Sequence, residues 1–176
     1  MTELLNRDDI VRYLLEVAEE LPDGACEEVV IVGGSMLACR DLRDATRDVD
    51  SARIMSQQLL GAASRVAARH DLAPEWLNSH AAGFVPNGDV DIVDPDPVLT
   101  TTTLVVFTAT ADAVFLMKLF AARPQDRDDL VALWPLCTFG SAHAAADACN
   151  EAYEFMRRPE KYLADYVAGI VDKAQR

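Results

Sequence analysis

Val29-Val30-Ile31-Val32-Gly33-Gly34-Ser35 is followed, after twelve intervening residues, by Asp48-Val49-Asp50. A short continuous β-branched run bounded by glycines suits a strand buried on both faces. Two glycines directly after such a strand allow a sharp turn and let a bulky anion approach the backbone closely. If Ser35 opens a short helix, to about Leu42, free N–H groups and the positive helix end face that anion, and the Ser35 hydroxyl adds a donor. Asp48 and Asp50 are two apart, so on a second strand over 46–50 they project from one face. Side-by-side carboxylates repel, and a hard divalent cation such as magnesium (or manganese) relieves the repulsion while also binding phosphate oxygens. Two such metals about 3.5–4 Å apart clamp the attacking and leaving oxygens of an in-line displacement. The same residues also fit a glycine turn beside an ordinary pair of surface aspartates.

Outward from this segment, hydrophobic spacing predicts a helix over 7–21, stopped by Pro22-Asp23-Gly24, and a long helix from Ser51 to Arg69. Residues 71–98 are punctuated by prolines around a possible short helix from Glu75 to Ala82. Leu104–Thr110 reads as a strand rich in Val, Phe and Thr. Helices are expected over 112–122, 127–137, 141–157 and 160–174, the last with Pro159 before it at a position that suits the first helical turn. The expected class is α+β: a small mixed β-sheet with flanking helices over 1–111, then a helical C-terminal region over 112–176 packed on it.

Composition narrows the function. The 176 residues are 51% hydrophobic and 26% charged, an ordinary globular balance. A net charge of -13 argues against a broad nucleic-acid surface, because each phosphate contact needs a local Lys or Arg. Arg40, Arg43, Arg47 and Arg53 crowd one stretch, which reads equally as a local patch or as a solvated mixed-charge face. Leu104–Ala122, the most apolar stretch, is broken by Asp112, Lys118 and several threonines, so no membrane span is expected. Cys26, Cys39, Cys137 and Cys149 form no Cys-x-x-Cys pair and fit reduced thiols, which together with an acidic N-terminus points to a cytoplasmic protein. Met36-Leu37-Ala38 after the glycines breaks the Gly-x-Gly-x-x-Gly spacing of a dinucleotide site.

A second cluster lies further on. Lys118 sits in Val114-Phe115-Leu116-Met117-Lys118-Leu119-Phe120, with no carboxylate three or four residues away. Its ammonium must reach solvent or a more distant anion, such as a phosphate or the Asp48/Asp50 site. Arg123, Asp126, Arg127, Asp128 and Asp129 follow, where Asp126 can equally cap the next helix.

The pattern Gly33-Gly34-Ser35-x12-Asp48-x-Asp50 resembles the signature of the nucleotidyltransferase superfamily, the polymerase-β-like fold. Lys118-Leu119-x-Ala121-x-Arg123-x2-Asp126-x2-Asp129-Leu130 resembles a helical motif of the AbiEii-type toxin nucleotidyltransferases and their relatives, as does Pro74-Glu75-Trp76-Leu77-Asn78. The resemblance covers roughly residues 29–133. It implies a minimal nucleotidyltransferase fold and transfer of a nucleoside monophosphate from a triphosphate to an RNA (tRNA) or protein acceptor. It also implies Asp48 and Asp50 as metal ligands, Gly34 and Ser35 holding the triphosphate, and Lys118 neutralising it. Asp126 or Asp129 would orient that lysine or assist the acceptor. Family toxins work beside an antitoxin, so such a partner is implied too. One departure stands out: many relatives carry a third carboxylate on a later strand, and Leu104–Thr110 has none. Asp89, Asp91 and Asp94 are the nearby substitutes. The alternative is therefore a catalytically inactive family member that serves as a nucleotide-binding or interaction module.

Overall fold

The computed structural model describes residues 4–156 and 160–176. The expectation for Pro159 lies outside those residues, whereas the helix expected over 141–157 ends at Ala152, where Tyr153 leaves the helical conformation (φ -120°, ψ 20°). The chain forms two compact units: the chain up to Phe84 together with Val93–Ala109, and Val85–Ile92 together with the chain from Thr110 onward.

The first unit carries a mixed five-stranded sheet, β1 (Glu27–Val32), β2 (Val49–Ser51), β3 (Leu77–Asn78), β4 (Leu99–Thr100) and β5 (Leu104–Thr108), in the order β3-β2-β1-β5-β4. β1 is central and its last four residues are fully buried, as the β-branched run predicts. It runs parallel to β5, with Ile31 opposite Thr108, and antiparallel to β2, with Val32 opposite Asp50. α1 (Arg7–Glu20), α2 (Gly33–Cys39) and α3 (Gln57–His70) complete this unit. Asn6 and Asp9 form a reciprocal capping box on α1, and the Ser56 side chain caps α3.

Local bonding moves several expected boundaries. Residue 46 is not part of β2. Thr46 pairs instead with Leu5 through two main-chain hydrogen bonds of 2.7 and 2.9 Å. α3 starts at Gln57 rather than Ser51, because Ser51 completes β2 and Ser56 accepts from the Leu59 N–H. No helix covers 75–82. Leu77–Asn78 pairs in parallel with Val49 and Asp50, and Asn78 Oδ1 then accepts the His80 N–H to start a 3-10 turn over His80–Phe84. Trp76 is buried against this edge, donating from Nε1 to the Ala63 carbonyl at 3.1 Å and meeting Tyr13 edge-on.

α1 and α3 are joined by ion pairs, Arg69 with Glu16 and Glu20 and Arg65 with Glu20 at 2.6 Å, and by a hydrogen bond between His70 and Glu16 at 2.7 Å. The hydrogen bond with His70 lowers the Glu16 carboxyl, burial opposes it, and Arg69 helps keep the net shift downward. Arg65 and then Arg69 lower Glu20. Because both folded-state values are depressed, their contribution is present above the ordinary carboxyl value of 4.5 and is lost as pH falls below it. Arg69→Gln is accordingly expected to shrink the drop in thermal midpoint between pH 7 and pH 4. An unchanged drop counts against the network as its source.

The second unit is helical: α4 (Ala111–Ala121), α5 (Arg127–Leu133), α6 (Ala142–Ala152) and α7 (Leu163–Ala174), with 3-10 turns at Pro124–Asp126 and Trp134–Leu136. The helix expected to run to 137 ends at Leu133, since Trp134-Pro135-Leu136 tightens into one of those turns. Phe115, Leu116, Leu130, Leu133, Cys149, Val167 and Ile170 form its core. Among the described residues no helix is long and apolar enough to cross a membrane.

Candidate functional site

β1 ends in a turn at Gly33, where φ is +63°, a left-handed value that favours glycine. α2 therefore opens on Gly33 rather than on Ser35. A Cβ at Gly33 would lie 3.5 Å from Asp50 Oδ2, so the glycine turn and the Asp50 carboxylate are immediate neighbours. The antiparallel register produces this contact, because Asp50 stands opposite Val32, the residue before the turn. Asp48 is exposed just before β2, Asp50 is half-buried and Val49 between them is fully buried. β2 begins at Val49, so Asp48 lies just outside the strand, and Asp50 is the one of the two aspartates that the sheet register sets beside the turn.

Gly34 has a different reason for being glycine. A Cβ there would meet Thr46 Oγ1 at 2.9 Å and Arg43 Nη1 at 3.2 Å. The close approach comes from the chain's own α2–β2 loop. Thr46 cannot easily retreat, since it is buried and held at both N–H and C=O by Leu5. Gly34→Ala is expected to destabilise the fold by about 1–3 kcal/mol through overpacking. Adding Thr46→Ala should recover part of that loss, with urea midpoints as the measurement. A neutral Gly34→Ala would show that the loop yields freely.

Ser35 is almost fully buried, and its hydroxyl donates to the Val32 carbonyl at 2.8 Å. Its proton is spent inside the turn, so the donor expected for an anion is used to hold the turn's shape.

Of the four arginines in this stretch, Arg40 pairs with Asp94 and donates to Thr108 Oγ1 at 3.0 Å, and Arg53 pairs with Glu28. Partial burial pushes the Asp94 carboxyl up, but the Asp96 N–H and the Arg40 guanidinium outweigh it and the net shift is downward. Asp94, one of the substitutes for a third carboxylate, is thus held as an ion pair. Asp89 and Asp91 are exposed in the segment assigned to the helical unit. Among the described residues no group of three or more His, Cys, Asp or Glu side chains converges as a metal cluster. Two hard oxygen donors still suit magnesium, which keeps several waters and takes its remaining ligands from substrate phosphates.

In the helical unit the structure brings Lys118, Asp126 and Asp129 together. Lys118 Nζ donates to Asp126 Oδ1 and to Asp129 Oδ2, both at 2.8 Å. The Lys118 side chain is 10% exposed and the carboxylates 12% and 14%, so this is a buried ion cluster. Neighbours at i±3 and i±4 miss this pairing, because it closes over the turn that joins α4 to α5. Asp126 stands at the N-cap position of α5 but makes no capping bond, since its carboxylate faces Lys118. None of the four cysteines is in a disulfide; Cys39 and Cys149 are buried, and burial raises the Cys39 thiol to about 11.

Sequence reasoning singled out Gly33, Gly34, Asp48 and Asp50, but treated Arg43 only as part of a charged stretch and did not single out Thr46. The usable signal was their position, five and two residues before Asp48 in the loop that must return from the glycine turn to β2. No protein-family model, no curated protein and no solved structure matches this chain.

Proposed function

We propose that this chain is a metal-dependent nucleotidyltransferase, of minimal nucleotidyltransferase fold, that moves a nucleoside monophosphate from a triphosphate to an RNA or protein acceptor. The observation that carries the reading is the closeness of the Gly33 turn and the Asp50 carboxylate, with Asp48 two residues before Asp50 in sequence. A tight turn free of side-chain bulk beside two acidic oxygen donors suits a polyphosphate that arrives with magnesium. The motif resemblance adds the transfer chemistry. Bound magnesium would supply charge neutralisation at the phosphates, where phosphoryl-type transfers gain most of their acceleration. Asp48 and Asp50 hold it, and Ser35 keeps the turn in shape through its bond to Val32. In the reaction the acceptor hydroxyl gives up its proton to solvent, its oxygen bonds to the α-phosphorus, and pyrophosphate leaves with the electrons of the broken P–O bond.

A second reading, a triphosphate-binding module without turnover, is favoured by the Arg40–Asp94 pair, which occupies a candidate third carboxylate. One experiment separates the two. The chain is incubated with each α-labelled nucleoside triphosphate, magnesium, and either bulk tRNA or a protein extract. Transfer of label that disappears in Asp48→Ala and Asp50→Ala supports the enzyme. Triphosphate binding without transfer supports the module, and neither binding nor transfer rejects both. Loss of transfer on adding a co-expressed neighbour protein would identify an antitoxin.

A further inference from the structure

We infer that Leu5 and Asn6 are positioning residues of the candidate site, setting where Asp48 stands through the main-chain bridge from Leu5 to Thr46. The inference rests on the metal-site reading above. Asp48 precedes β2, so the sheet does not fix it directly. It belongs to the irregular chain that returns from α2, and such chain lies where its bonded neighbours hold it. Two anchors bracket it. On one side Val49 donates its N–H to the Trp76 carbonyl at 2.6 Å and stands opposite Leu77 in the sheet. On the other, the Thr46 N–H donates to the Leu5 carbonyl at 2.9 Å, and the Thr46 carbonyl accepts the Leu5 N–H at 2.7 Å. Arg47 and Asp48 span the gap between these anchors. Two residues add at most about 7 Å of chain, so with both ends held the Asp48 backbone has little freedom. Releasing Thr46 leaves Asp48 tethered from Val49 alone.

The Leu5 end of the bridge is held by chemistry local to the sequence. Asn6 is the N-cap of α1: its Oδ1 accepts the Asp9 N–H at 2.9 Å, and Asp9 Oδ2 accepts the Asn6 N–H at 3.2 Å. Leu5 occupies the position before that cap, where an apolar side chain fixes the angle at which the chain enters a helix. Leu5 and Ile10, in the first turn, are both fully buried. At the other end of the bridge, Thr46 Oγ1 stands 2.9 Å from the position of a Gly34 Cβ. Thr46 thus carries the order of the α1 cap to the glycine turn and to Asp48 together. The Arg7–Asp41 ion pair at 2.8 Å joins the same segment to the start of the loop, but both side chains are largely exposed and it adds little.

The test reads the rise in thermal midpoint that magnesium alone gives the full chain. Leu5→Pro removes the N–H that donates to Thr46. It is expected to weaken magnesium about tenfold, as when the binding-competent position is held only about a tenth of the time. At matched ionic strength, its rise at about 100 mM magnesium should then equal the parent's at about 10 mM. Leu5→Met keeps both the N–H and the apolar bulk and should behave as the parent. A bridge that merely stabilised the fold would lower the midpoint without magnesium and leave the rise unchanged. That result in Leu5→Pro overturns the positioning role and leaves the metal reading standing. Should Leu5→Pro not fold, Asn6→Ala decides: it removes the capping box, with an expected weakening of about twofold to fivefold. An unchanged rise in Asn6→Ala then overturns the inference. If magnesium gives the unsubstituted chain no rise, the underlying reading falls, and the positioning role with it.

Discussion

Lys118→Met is expected to lower the unfolding free energy by about 3–5 kcal/mol, because it removes the buried cation that donates to both the Asp126 and the Asp129 carboxylates. The side chains concerned are 10%, 12% and 14% exposed, so solvent screens them poorly. Methionine is close to lysine in length and volume, so the loss measures charge rather than a cavity. For a chain of this size that corresponds to a fall in thermal midpoint of roughly 6–20 °C. The decisive comparison is the triple variant Lys118→Met/Asp126→Leu/Asp129→Leu, which removes all three charges together. Replacing a whole buried ion cluster by apolar groups is often neutral, so most of the lost stability should return. Urea unfolding followed by far-ultraviolet circular dichroism reads both. A single variant within about 1 kcal/mol of the parent would mean that water reaches the cluster and screens it.

This cluster also shows where sequence reading stops. The helical neighbours of Lys118 can be written down from the sequence alone, and they contain no acid. Pairing with Asp126 and Asp129 depends on how the chain turns at Ala122, where φ is +50°, and at Pro124–Asp126. Spacing rules for a continuous helix do not extend across such a turn. The same limit explains the sheet. β1 was legible because a continuous β-branched run is buried on both faces whatever its partners. β3 and β4 have two residues each and owe their existence to what they pair with, Val49–Asp50 and Val105–Val106. No period can emerge from two residues. Within the candidate site, the glycine turn that ends β1 is a local property and was readable. The packing of Thr46 and Arg43 on Gly34 was not, since it follows from the bridge between Leu5 and Thr46, forty-one residues apart in sequence.

Asp50→Asn is expected to reduce label transfer at least about a hundredfold, the scale of losing one preorganised electrostatic contact at a reacting centre. Asp48→Asn should do the same. Loss of activity alone would not separate a metal site from a damaged fold, so the sign of the stability change carries the argument. Asp48 is exposed, and its neutral isostere should leave stability without divalent cations within about 0.5 kcal/mol of the parent. With magnesium the two proteins should diverge. A ligand bound only by the folded state, at 10 mM and with a dissociation constant of about 1 mM, adds roughly 1.4 kcal/mol. That is a rise in midpoint of about 3–6 °C for a chain of this length. The parent should show this rise, and Asp48→Asn and Asp50→Asn should lack it. If magnesium raises the midpoint equally in all three proteins, the cation binds elsewhere and the two aspartates are ordinary surface acids. A metal-dependent shift lost with either carboxylate, together with the loss of transfer, leaves the Gly33–Asp50 contact as the place where cation and polyphosphate meet.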